Sequence, residues 1–116
     1  MQNEAMRSTW ELYVKGWSNV DADERRGLLE KSITPSCVYI SPVAQIQGRD
    51  ELTSAMEQFQ QDMPGATIAV DAFTGHHDHA LVHWRALDNG GVTQIPGIDS
   101  VLFDSDGRLV GITVFL

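Results

Sequence analysis

The sequence predicts an α+β protein, with helices collected on one face of a curved, mostly antiparallel sheet. Three observations carry this. Apolar residues recur at helical spacing through most of residues 1–63, and from Thr67 onward they alternate along four successive segments. Asn89-Gly90 and Asp106-Gly107 sit between those segments, where two-residue hairpin turns need residues that tolerate positive φ. The expected order is α-α-β-α-β-β-β-β, as a single domain over residues 1–116.

The first helix is expected between Asn3 and Trp17, where Met6, Trp10, Tyr13, Val14 and Trp17 fall on one stripe and Arg7, Glu11 and Lys15 on the other side. Ser18-Asn19 ends it. Asp21 can cap a second helix, with Glu24 in the position that follows a cap and Leu28, Leu29 and Ile33 facing inward. Thr34-Pro35 stops that helix, because the residue before proline is pushed out of the helical region. Ser36 to Ser41 reads as a short strand closed by Pro42, with Cys37, Tyr39 and Ser41 on one face. Gly48-Arg49-Asp50 opens a third helix bearing Leu52, Ala55, Met56, Phe59 and Met63, and Pro64-Gly65 ends it. Strands are then expected at Thr67–Thr74, His79–Asp88, Val92–Asp104 and Leu109–Leu116.

Composition narrows the function. With 42% hydrophobic and 21% charged residues the chain is an ordinary globular one. Eight basic against 16 acidic residues give a net charge of −8, a field that disfavours nucleic acid and anionic lipid as partners. No apolar run reaches membrane-spanning length, and Met1-Gln2-Asn3-Glu4 lacks the regions of a secretion signal. The lone Cys37 allows no internal disulfide and reads as a small core residue. A cytoplasmic protein is expected.

One ionisable residue breaks the apolar alternation of the last hairpin. Asp99 shares a face with Val101 and Phe103, while Ile98, Ser100 and Leu102 face the other way. A carboxylate in that register is costly unless its surroundings use or satisfy it, and burial should raise its pKa above the ordinary value.

The element order, together with Tyr39-Ile40-Ser41-Pro42, Gly48-Arg49-Asp50-Glu51-Leu52 and Asp106-Gly107-Arg108-Leu109, resembles the nuclear-transport-factor-2-like superfamily, in its SnoaL-like polyketide cyclase and ketosteroid isomerase branch. The resemblance implies a cone-shaped barrel, with three helices on the concave side of the sheet and a deep apolar pocket. Strand parity then assigns Val82, Trp84, Ala86, Asp99, Val101, Ile112, Val114 and Leu116 to the inside, joined by Met56 and Phe59 from the third helix. Trp17, Tyr39 and Ser41 complete the expected pocket. His83, Arg85 and Leu87 fall on the outer face, through which relatives pair, so a homodimer is expected.

Ketosteroid isomerases carry a tyrosine on the first helix before an Asn-x-Asp turn, matched here by Tyr13 and Asn19-Val20-Asp21. Their aspartate in a Pro-Ile-Asp strand is matched by Asp99 after Pro96-Gly97-Ile98. The resemblance makes these two the catalytic pair, donors to a developing enolate in a dry site. The isomerase base, an Asp before proline, is replaced by Ser41 before Pro42. In polyketide cyclases a pocket acid serves as base, so Asp99 could act ionised as base or neutral as donor.

Gly75-His76-His77-Asp78-His79 resembles a metal cluster only superficially, since consecutive turn residues splay apart; no metal and no cofactor are expected. His77 stays a secondary acid/base candidate, and His79 is assigned no role. The expected function is acid/base chemistry next to a carbonyl of a small hydrophobic ligand: isomerisation, aldol cyclisation or dehydration. The rival expectation is a non-catalytic binding or association module on the same fold.

Overall fold

The structure is a computed structural model that describes residues 2–116; Met1 lies outside them. Helices α1 (Asn3–Lys15) and α2 (Ala22–Ser32) lead into strands β1 (Ile33–Ser41) and β2 (Ala44–Gln47). Helix α3 (Arg49–Asp62) follows, then β3 (Thr67–His76), β4 (His79–Leu87), β5 (Thr93–Phe103) and β6 (Leu109–Phe115). The strands form one curved sheet in the order β2-β1-β6-β5-β4-β3. Neighbours are antiparallel except β1 and β6, which run parallel.

The expected α+β arrangement is therefore present, with three helices on the concave side. The barrel does not close: β2 and β3 are free edges of the sheet. Helix α1 packs against β3 while α3 lies on β1 and β2, so helices fill the gap that strand pairing leaves.

Local differences have local causes. Helix α1 stops at Lys15 rather than Trp17, because buried Arg25 of α2 donates from Nε to the carbonyl of Gly16 and from Nη2 to that of Ser18. Those bonds satisfy carbonyls that a longer helix would have used itself. Asp21 caps α2, its Oδ1 accepting from the Glu24 amide at 2.7 Å. The Glu24 carboxylate turns to Lys15 at 3.2 Å instead of returning to the cap.

Strand β1 begins at Ile33, ahead of the expected Ser36. Its pairing with β6 shifts register between Ile33 and Val38, and that irregularity accommodates Pro35, which has no N–H to give a ladder. β2 was not anticipated. It folds back on β1 with Ser41 opposite Ala44, and its mixture of Gln45, Ile46 and Gln47 has little alternation to signal it.

The two glycine turns are also not the two-residue type. Asp88 and Val92 close one loop, with Gly91 at φ +82°; Asp104 and Arg108 close the other, with Gly107 at φ +83°. Each is a turn followed by a left-handed glycine, and Asp88 and Asp104 hold it by accepting two backbone amides on Oδ1.

Inward-facing residues pair in rows across the sheet: Ala80–Val101–Ile112, then Val82–Asp99–Val114, then Trp84–Gly97, then Ala86–Ile95. The first row is packed solid with Met6, Phe103 and Leu109. No helix is long and apolar enough to cross a membrane among the described residues.

Candidate functional site

Above the packed row, the sheet and helices part to leave a cavity of about 170 Å³. Its lining comes from α1 and the turn after it (Trp10, Tyr13, Val14, Trp17), from β1 (Tyr39, Ser41), from Phe59 of α3, and from the strands that carry Trp84, Asp99 and Val114. That volume is close to the ~150 Å³ apolar cavity known to admit benzene, so the cavity suits a small ring compound.

Asp99 lies on the floor, 3% exposed. Among the described residues it is the only acidic or basic side chain in a lining that otherwise holds apolar groups, two phenols, indoles and Ser41. The Trp84 indole Nε1–H donates to its Oδ1 at 2.9 Å. Burial raises its pKa to about 7, the indole hydrogen bond opposing that rise. The carboxyl is thus half-ionised near neutral pH.

Tyr13, 1% exposed, accepts a hydrogen bond on its hydroxyl from Trp17 Nε1–H at 2.9 Å. Its own proton has no acceptor among the described residues. Burial, with Tyr39 and Asp99 nearby, holds the Tyr13 phenol well above its ordinary pKa; burial and Asp99 do the same to Tyr39. Both phenols therefore stay protonated near neutral pH and keep an O–H to donate.

The roof is fixed by side chains that sequence reading did not single out. Arg25 holds the turn that carries Trp17. Gln60 of α3 donates to the Trp17 carbonyl at 2.7 Å and to that of Ala66 at 2.9 Å, joining α3 to the same turn. Trp17 then meets Phe59 edge-on, with centroids 5.6 Å apart, and tilts against Tyr39 at 5.8 Å. A polar residue at the end of a helix stripe is the only sequence signal for either anchor.

The structure brings Asp99, Tyr13, Trp17, Tyr39, Ser41, Phe59, Trp84 and Val114 to the cavity wall. Met56, Val82, Val101 and Ile112, expected there, belong to the packed core instead, each at most 2% exposed. Val101 and Ile112 lie one row deeper than Asp99, and Met56 packs beneath Gly16. Trp10, Val14, Val43, Ile68 and Ile95 line the cavity without having been expected there. The Trp10 indole N–H is buried and lacks an acceptor among the described residues.

His77, with φ 56°, stands with Asp78 at the tip of the β3–β4 hairpin. His79 Nδ1 pairs with Asp78 at 2.7 Å on the surface, away from the cavity lining. Among the described residues no group of His, Cys, Asp and Glu is arranged to hold a metal ion. Cys37 is free and buried, its thiol pushed up to about 12 by that burial.

Residues 10–112 match the family profile described as the SnoaL-like domain. The fold is similar to that of a candidate isomerase of the SnoaL-like family from Agrobacterium tumefaciens, with a TM-score of 0.89, 23% identity and 97% of each chain covered. It is similar to a SnoaL-like candidate polyketide cyclase from Jannaschia (TM-score 0.77, 17% identity, 97% of this chain and 85% of that one). A candidate polyketide cyclase from Sinorhizobium meliloti superposes with a TM-score of 0.76 at 16% identity, over 99% of this chain and 100% of that one. At such identities the solved structures speak for the fold alone. No protein of curated function matches the sequence.

Proposed function

Because the chain belongs to the SnoaL-like domain family, we propose that its cavity is a ligand pocket in which Asp99 moves a proton next to a carbonyl. The observation that carries this is one buried carboxyl among the described residues of the lining, with a pKa of about 7, facing an apolar cavity beside two protonated phenols that each have an O–H to donate. A general base works best with a pKa near the working pH, and burial provides that here.

The chemistry follows from the groups present. Ionised Asp99 takes a proton from the carbon next to a carbonyl, and the electron pair moves onto the carbonyl oxygen. Tyr13 and Tyr39 donate to that oxygen, where low polarity magnifies their effect. Protonated Asp99 then returns the proton to a more distant carbon of a conjugated enolate, which is an isomerisation, or the enolate carbon attacks a second carbonyl of the ligand and Asp99 gives its proton to the alkoxide formed, which is an aldol cyclisation. Ring closure or loss of water would be decided by the ligand.

The test uses 1-tetralone and 2-tetralone, small enolisable ketones of matching size, in D₂O. The protein should speed deuterium incorporation at the carbon next to the carbonyl, followed by proton NMR. A background rate despite ketone-dependent quenching of tryptophan fluorescence would favour a binding module instead. One observation supports that second reading: Ser41 stands where isomerases of this fold carry their base, and its Oγ only accepts weakly from the Val43 amide, at 3.4 Å.

We propose further that the protein is a cytoplasmic homodimer. The free thiol suits a reducing compartment. Ile40, Leu81, Leu102 and Phe115 are exposed on the outer face of the sheet, spread over β1, β4, β5 and β6 among smaller residues such as Ser100 and Thr113. Light scattering at micromolar concentration should return twice the chain mass; the monomer mass would remove the proposal.

A further inference from the structure

Trp84 and Gly97 face each other directly across β4 and β5. The indole lies so close over Gly97 that a Cβ there would clash with Cζ2, Cε2 and Cη2. Gly97 is not among the positive-φ residues. Its missing side chain therefore serves the close approach of the ring, not a turn. Lying so, the ring extends along β5 to the next inward-facing residue, Asp99, and donates from Nε1 to Oδ1 at 2.9 Å. Oδ2 has no hydrogen-bond partner among the described residues.

An indole N–H only donates, so the oxygen it meets is kept as the acceptor of the carboxyl group. When Asp99 is neutral its proton therefore resides on Oδ2. We infer that Trp84, seated on Gly97, is the positioning residue of this site: it fixes Oδ1 and leaves Oδ2 as the oxygen that exchanges its proton with a ligand. The inference rests on the reading of Asp99 as the acid/base group and specifies how that group is aimed. A free carboxyl would rotate and present either oxygen. This one presents a single oxygen in a single orientation, which is the geometric precision proton transfer demands.

The other titratable groups around the carboxyl do not compete with it. Tyr13 from α1 and Tyr39 from β1 remain neutral, as does Cys37 beside them, and no Lys, Arg or His lines the cavity. Asp99 should thus give one clean titration.

The test is spectroscopic and needs no substrate. The unmutated protein, labelled with ¹⁵N and with ¹³C at aspartate Cγ, is titrated from pH 5 to 9. One of the three tryptophan indole resonances should move with the same midpoint as the Asp99 carboxyl carbon. Trp84→Phe should remove that resonance and raise the Asp99 midpoint by about one pH unit or more, since the donor that favours the charged form is gone. Gly97→Ala, which keeps the indole but displaces it, should raise the midpoint in the same direction. Three indole resonances that all ignore the carboxyl titration would overturn the inference, even if neither variant folds. So would a folded Trp84→Phe with an unmoved Asp99 midpoint. If the coupling is seen but no ketone exchanges deuterium, the proposed chemistry fails and the positioning stands.

Discussion

At pH 8 the Asp99→Asn variant should unfold at a distinctly higher urea concentration than the parent protein, while at pH 4 the two should differ little. The carboxyl has a pKa of about 7 in the fold against an ordinary value of 3.8. Between those values the folded state holds a proton that the unfolded state has released. Parent stability therefore falls as pH rises through that window, by about 1.4 kcal/mol per pH unit, and levels off above pH 7. The whole loss is about 4 kcal/mol, a large share of the stability of a small domain. Asparagine has the same shape, accepts the Trp84 N–H on its own Oδ1, and has no charge to bury. Parent and variant curves that stay parallel from pH 4 to 8 would show that Asp99 is not desolvated in solution.

The same substitution should destroy the chemistry it stabilises the protein against. Asp99→Asn should lower deuterium exchange of a bound ketone by about 10²- to 10⁴-fold, the usual range for loss of a positioned base. Tryptophan quenching by the ketone should be retained, because shape and polar ends are kept. In the parent, the exchange rate should climb with pH around a midpoint of about 7, where the carboxyl ionises, and then flatten. A variant that keeps a substantial share of the rate would assign Asp99 the donor's part, since an amide can still donate.

Asp99 was legible in the sequence because a charged residue interrupts a strict alternation, and alternation fixes the side of a sheet. Depth is different. Val101 and Ile112 have the same parity as Asp99 and Val114, yet they lie one row deeper and do not line the cavity, which the latter two do. Parity says which face a residue takes, but where the packing ends depends on which helix side chains reach it. Ile68 and Ile95 became wall residues for the same reason, lying toward the open end. The helices were readable from their stripes, but Trp10 on such a stripe cannot announce whether it packs or lines. The turns were misjudged because Asn-Gly and Asp-Gly draw the eye, whereas the carboxylates of Asp88 and Asp104 set the loop.

The parallel contact between β1 and β6 has a consequence for the order of assembly. Strands β3 to β6 are joined by short hairpins and can zip up from local contacts, so Trp84, Gly97, Asp99 and Val114 come together early. The β1–β6 contact must instead close a loop that spans α3 and the whole meander, a slower event. Tyr13, Trp17 and Tyr39 all arrive from that N-terminal side. Until they dock, a carboxyl on the open sheet should face water and keep close to its ordinary acidity. At neutral pH, then, the uptake of a proton by Asp99 belongs to the final docking of the helices, and acidity should hasten that step and not the hairpins before it.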